Sequence, residues 1–126
     1  MFGATKDMGY DSISDTIYKI ENGKITLLKY CGSGSTLYIP RKIKGYTVAK
    51  IATDFYESSY ATNIYIPKEV EVVEENAFVN TSTRTFSFYF ETEGVSANWD
   101  DNWYYNTYYS SATRYISTYW NQKFSY

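Results

Sequence analysis

One pattern occurs twice in this chain, as Leu37-Tyr38-Ile39-Pro40-Arg41-Lys42-Ile43 and as Ile64-Tyr65-Ile66-Pro67-Lys68-Glu69-Val70. In each copy apolar residues flank a tyrosine, which predicts a strand, and the proline ends it because proline has no N–H for a ladder hydrogen bond. Pro40 and Pro67 are 27 positions apart, and removing the four extra residues Lys44-Gly45-Tyr46-Thr47 of the first copy leaves a period of 23. Such a period predicts a solenoid, in which successive turns of the chain stack on one another.

The same spacing predicts a third stacked strand. Ile64 lies eight residues after Tyr56, and the same count from Phe78, the counterpart of Tyr56 in the second copy, reaches Phe86. Residues 86–90 read Phe-Ser-Phe-Tyr-Phe, so their three phenylalanines are expected on one face of a strand. After this segment the sequence period ends.

The chain is therefore divided as follows. Residues 1–15 are rich in Gly, Asp and Ser and are expected to be a flexible leader, without the apolar run of a signal peptide. Residues 16–35 are expected to form a hairpin cap turned at Asn22-Gly23, because both turn positions need positive φ. Repeats occupy residues 36–90, and residues 91–126, with all three tryptophans, are expected to cover the last turn. The expected fold class is thus mainly β, a short solenoid with a hairpin cap and an aromatic C-terminal cap.

The second copy resembles the repeat of the BspA-like leucine-rich repeat proteins of bacterial surfaces, L-x-x-I-x-I-P-x-x-V-x-x-I-x-x-x-A-F. The matching residues are Ile64-Tyr65-Ile66-Pro67, Val70, Val73 and Ala77-Phe78. The hairpin at Asn22-Gly23 and the segment Ser96-Ala97-Asn98-Trp99-Asp100-Asp101-Asn102-Trp103 are also similar to parts of that family. The resemblance implies a leucine-rich-repeat fold in an extracellular or cell-surface bacterial protein, with adhesion to proteins or glycans. The first copy departs from the pattern, since Phe55-Tyr56 stands where the family has Ala-Phe.

Composition argues against catalysis. The chain has no histidine, which excludes Ser-His-Asp and Cys-His nucleophile systems, and the lone Cys31 can form neither an internal disulfide nor a cysteine metal site. We therefore expect no enzyme, no cofactor and no metal. One catalytic alternative stays open: Glu91 and Glu93 on one strand face would lie roughly 6.6 Å apart, as in an inverting glycosidase. Such a pair is more commonly a solvated strand end.

Aromatic side chains are the candidate ligand-binding residues, because flat rings stack on sugars and supply large contact area to proteins. They are Trp99, Trp103, Tyr104, Tyr105, Tyr108, Tyr109 and Trp120. The competing interpretation is that these rings plug the open end of the solenoid. Between the repeats, the alignment also places Lys42 beside Glu69 as a cross-strand ion pair.

The expected function is a non-catalytic recognition or adhesion module that binds a protein or glycan. The alternative is an assembly module, whose exposed solenoid end or edge strand pairs with another copy or with the rest of a longer chain. A net charge of −2 argues against a nucleic-acid partner, and no apolar stretch is long enough to predict membrane insertion.

Overall fold

The computed structural model describes residues 7–58, 63–107 and 115–126, and within these ranges the chain forms strands and no helix. A helix able to cross a membrane is accordingly not found in this part of the chain. The strands, in chain order, are β1 (Met8–Asp11), β2 (Thr16–Glu21), β3 (Lys24–Tyr30), β4 (Thr36–Tyr38), β5 (Lys42–Ile43), β6 (Tyr46–Ile51), β7 (Tyr56–Ser58), β8 (Asn63–Ile66), β9 (Val72–Val73), β10 (Phe78–Asn80), β11 (Phe86–Phe90), β12 (Tyr104–Asn106) and β13 (Ile116–Tyr119).

These strands form three parallel stacks. The first is β4-β8-β11-β13, the second is β7-β10-β12, and the third contains β3, β6 and β9. The first two repeats each contribute one strand to each stack, as β4, β6, β7 and as β8, β9, β10, whereas the third contributes β11 to the first stack and β12 to the second. The chain is therefore a β-solenoid of about three turns.

The hairpin forms where the sequence predicts it. Strands β2 and β3 pair antiparallel around Asn22-Gly23, whose φ angles are 54° and 74°, as a two-residue turn requires. Strand β3 then pairs in parallel with β6 and so joins the hairpin to the solenoid. The expected flexible leader needs a correction, because residues 8–11 form β1 on the outer edge of β2. The main-chain N–H and C=O groups on that edge of β2 need hydrogen-bond partners, and residues 8–11 supply them. This pairing orders the segment although it contains Gly and Asp.

The third repeat strand is confirmed, with a different register. Phe86, Phe88 and Phe90 are buried on one face of β11, but Ile64 lies opposite Phe88 rather than Phe86. A shift of two residues keeps every side chain on its own face, because the strand period is two. The hydrophobic pattern therefore identifies the face and cannot identify the register by itself.

Strand stacking continues beyond Phe90, where the sequence period ends. Strand β12 pairs with β10 and β13 pairs with β11, both in parallel. The residues expected only to cover the last turn thus build further strands of the same stacks. Main-chain hydrogen bonds make these pairs, so they do not need the Ile-Pro pattern of the earlier repeats.

The inward side chains of all three stacks form one hydrophobic core. Its largest fully buried members include Phe55, Phe78 and Phe88, and tryptophans join them at the last turn. A buried amide lies at one corner, where Asn80 Oδ1 accepts from the N–H and hydroxyl of Ser82, both at 2.9 Å. In β8 and β11 of the first stack, the residues between these inward positions are only partly buried and face the outside.

Candidate functional site

A row of tyrosines lies on the outer side of the first stack. Tyr38, Tyr65, Tyr89 and Tyr119 stand opposite one another in register on β4, β8, β11 and β13. Successive ring centroids are 4.7, 4.6 and 5.0 Å apart, with interplanar angles of 16°, 12° and 14°. These separations match the roughly 4.7–4.9 Å between neighbouring strands, so strand spacing alone brings the rings into stacking contact. We call this row the tyrosine ladder.

The ladder presents ring edges to its surroundings. Each inner ring has a neighbour on both faces, whereas the end rings Tyr38 and Tyr119 remain 54% and 44% exposed. The hydroxyl of Tyr89 donates to Asn63 Oδ1 at 3.1 Å. Burial raises the pKa of Tyr65, with smaller contributions from the two flanking tyrosines, so its phenol stays a neutral donor. Ring edges are electropositive and suit acceptors and the faces of other aromatic rings.

The segment after β13 folds back over one half of the ladder. It comprises residues 121–126 and begins where the N–H groups of Asn121 and Gln122 donate to Thr92 O at 2.9 Å and Phe90 O at 2.8 Å. We call this segment the strap.

The strap meets the ladder through two aromatic rings. Phe124 lies edge-to-face with Tyr65 at 5.5 Å and 77°, and Tyr126 lies edge-to-face with Tyr38 at 5.7 Å and 89°. The hydroxyl of Tyr126 donates to Ile39 O at 3.0 Å. A cavity of about 210 Å³ remains between the strap and the two ladder tyrosines.

An ion-pair cluster of Arg41, Glu69 and Glu91 lies beside the strap. Arg41 Nη1 and Nη2 donate to the two carboxylate oxygens of Glu91 at 2.7 and 2.6 Å, and Nη1 also donates to Glu69 Oε1 at 2.6 Å. The guanidinium Nε donates to the main-chain oxygen of Tyr126, and its carbon lies 5.5 Å from the centroid of that ring. This fork geometry satisfies two carboxylates and one end of the strap at once.

The carboxylate of Glu91 accepts four hydrogen bonds from residues that the structure describes. Besides Arg41, its oxygens accept the main-chain N–H of Lys68 at 3.0 Å and of Phe124 at 3.3 Å. Hydrogen bonding to Arg41 is the main reason that the pKa of Glu91 falls from 4.5 to about 2, and the two main-chain donors act in the same direction. The same contacts raise the pKa of Arg41, so both partners stay charged.

This arrangement corrects two expectations about charge. Arg41, not Lys42, is the partner of Glu69, because the stacked turns bring the residue after Pro40 over the acidic side chains. The proposed Glu91 and Glu93 pair does not form on a strand, since β11 ends at Phe90. In the part of the chain described, no three acidic or cysteine side chains come together as a metal site.

Three of the aromatic residues predicted to bind a ligand lie around Phe90, and a fourth lies beside them. Trp99 and Trp103 are buried and contact its ring at 5.5 and 5.9 Å, and half-buried Trp120 stacks on it at 4.1 Å and 12°. Tyr104 is buried next to Trp103, with ring centroids 6.2 Å apart.

The remaining three are placed differently. Tyr105 is exposed on β12, whereas Tyr108 and Tyr109 lie outside the described residues. Burial removes most of the ring area that Trp99, Trp103 and Tyr104 could offer to a partner. Of the predicted binding residues, Tyr105 and part of Trp120 remain accessible in the described structure.

Sequence reasoning missed the ladder and the cluster that lies beside the strap. A signal for three ladder residues was present, because Tyr38, Tyr65 and Tyr89 each stand between two inward apolar residues. Nothing comparable marked Tyr119, which follows Thr118 and precedes Trp120. The pairing of Arg41 with Glu91 joins residues 50 positions apart and depends on the stacking of turns.

Comparisons with protein-family models, with curated proteins and with solved structures gave no significant match.

Trp103→Ala should lower the free energy of unfolding by about 3–5 kcal/mol, because it opens a cavity in the core at a residue that is only 8% exposed. Tyr105→Ala, at a residue 42% exposed, is the matched control and should change stability by no more than about 0.5 kcal/mol. Urea unfolding of both variants measures the difference. Equal, small effects would show that Trp103 is dispensable for folding and would return it to the candidate binding residues.

The pKa of Glu91 makes stability depend on pH in acid. Because it is lower in the folded chain than its ordinary value of 4.5, the stabilisation is complete above about 4.5 and is lost as pH falls towards about 2. Glu91→Gln should therefore lose less stability than the unaltered chain over this range in urea titrations. Glu93→Gln, at an exposed carboxylate two residues on, is the control and should follow the unaltered chain. Parallel curves for the Glu91→Gln variant and the unaltered chain would contradict this role of Glu91.

Proposed function

We propose that this chain is a non-catalytic recognition module that binds an extended segment of a partner protein along the tyrosine ladder. The observation that carries the proposal is the row of four tyrosines in register on one outer face, with both end rings about half exposed. Tyrosine supplies large, rigid contact area with a polar tip and loses little conformational entropy on binding. A row with the spacing of neighbouring strands suits a partner that lies across several turns.

Ring orientation favours a protein over a glycan as the partner. A sugar stacks on the flat face of an aromatic ring, yet the ladder rings cover one another's faces at 4.6–5.0 Å. Ring edges and hydroxyls remain, and these pair well with main-chain carbonyls and with aromatic side chains of a peptide. Glycan adhesion would need the outer face of an end ring such as Tyr119.

The resemblance of the repeats supports the proposed cellular setting. The match of Ile64-Tyr65-Ile66-Pro67 and Ala77-Phe78 to the BspA-like pattern supports a leucine-rich-repeat module in an extracellular or cell-surface bacterial protein. The hairpin and the aromatic residues around Phe90 would then act as the caps of the repeat array, since terminal turns must cover the core.

Tyr119→Ala should weaken binding to a protein partner at least about tenfold, equivalent to 1.4 kcal/mol, because it removes an exposed end of the ladder. Immobilised extracellular-matrix proteins and a glycan panel, probed with the purified chain at physiological salt, supply the partner. Tyr46→Ala is the matched control, since Tyr46 is 40% exposed on a different strand stack and should leave binding unchanged. Saturable binding that is equally strong in all three proteins, or that is confined to glycans, would contradict the proposal.

The assembly module is the second candidate, and the last described turn favours it. In the residues that the structure describes, the outer edge of β13 has no paired strand. A neighbouring copy or a following segment could pair with this edge, because open edges pair readily. A molar mass that rises with concentration in light scattering would favour assembly, whereas a monomer at all concentrations would count against it.

A further inference from the structure

The contacts of the strap define what kind of peptide the ladder accepts. Two side chains of the strap, Phe124 and Tyr126, meet the ladder edge-to-face and stack on each other at 5.5 Å and 10°. The side chains of Lys123 and Ser125 are exposed and make no hydrogen bond or ion pair with any residue that the structure describes. Recognition of this segment therefore depends on aromatic residues at positions i and i+2.

Besides the approach of the Arg41 guanidinium to the Tyr126 ring at 5.5 Å, the other contacts of Phe124 and Tyr126 with this surface use the main chain or the tyrosine hydroxyl. The N–H of Phe124 donates to Glu91 Oε2 at 3.3 Å, and the main-chain oxygen of Tyr126 accepts from Arg41 Nε. The Tyr126 hydroxyl donates to Ile39 O at 3.0 Å. Main-chain contacts of this kind are available to any extended peptide, whereas the two rings supply the selectivity.

We propose that the surface formed by Tyr38, Tyr65, Arg41 and Glu91 is a binding site for an extended peptide of the pattern aromatic-x-Tyr. We call this surface the strap site; in the structure the strap occupies it. The inference rests on the proposed function and names its ligand class: a partner protein carries such a segment and displaces the strap. The occupied site is shallow enough for exchange, since Tyr126 itself is exposed and a cavity of about 210 Å³ remains beneath it.

The strap competes with an added peptide for the strap site, and the strength of this competition sets the expected change in peptide affinity. A segment tethered to its own site by a short linker has an effective concentration of about 1 mM, so it competes strongly with a free peptide. Removing the two strap rings takes away the edge-to-face contacts of the strap and so weakens the competitor, while the residues of the strap site stay unaltered. The free peptide should then bind at least about tenfold more tightly than it binds the unaltered chain.

The test uses a fluorescent, amidated peptide with the sequence of residues 121–126, Asn-Gln-Lys-Phe-Ser-Tyr, added to the full chain carrying both Phe124→Ala and Tyr126→Ala. Fluorescence anisotropy should show saturable binding at peptide concentrations up to about 1 mM. A peptide with alanine in place of its Phe and Tyr should not bind. A peptide with alanine in place of its Lys and Ser should bind as well as the first.

Two further variants test where on the chain the peptide binds. Adding Tyr38→Ala to the double variant should weaken peptide binding at least about fivefold, since an aromatic contact and a wall of the strap site are lost. Adding Tyr46→Ala, at another exposed tyrosine on a different strand stack, should leave peptide binding unchanged. Should the double variant fail to fold, as judged by circular dichroism, the single Tyr126→Ala variant takes its place with the same expected order of affinities.

Equal affinity of the peptide for the unaltered chain and the folded double variant would overturn the inference, as would binding that survives loss of both peptide rings. Absence of saturable binding to a folded variant would also overturn it. These results are distinguishable from failure of the proposed function. If a protein partner binds and depends on Tyr119 while the peptide does not bind, only the ligand class is wrong.

Discussion

Parallel, in-register stacking of strands is the constraint on which the rest of this structure depends. Main-chain hydrogen bonds hold β4, β8, β11 and β13 one strand spacing apart, and side chains alternate between the two faces. The inward positions form the aliphatic and phenylalanine core, while one outward position holds a tyrosine in all four strands and becomes a column of identical residues. A tyrosine at this position in each turn therefore stacks on the tyrosine of the next turn, because the two rings lie one strand spacing apart.

Stacking also converts distant residues into neighbours. Arg41 meets Glu69 of the second turn and Glu91 of the third, because each follows the first-stack strand of its own turn. The two carboxylates would repel each other if Arg41 were absent, and the guanidinium fork bridges them with three short hydrogen bonds. The cluster thereby connects three turns to one another and to the strap that crosses them.

Strand pairing differs between the two ends of the solenoid. At the first turn, β1, β2 and β3 pair antiparallel and add main-chain partners beside β6. At the other end, β13 is the last strand of the first stack in the described residues, and its inner edge pairs with β11. Edge strands with unpaired main-chain groups are the usual places for association, so a partner that adds to this sheet would meet the ladder end at Tyr119.

The sequence by itself determined that the chain repeats, the hairpin turn at Asn22-Gly23 and the inward face of residues 86–90, since these depend on local φ preferences and on alternation of side chains. It did not determine the strand register, because a two-residue shift leaves the alternation unchanged. Nor did it indicate that stacking continues past Phe90, since main-chain pairing leaves no residue pattern. Only the tertiary structure decided which aromatic rings are buried and which stand outside, and it alone joined Arg41 to Glu91. Both depend on how turns of unequal length superimpose.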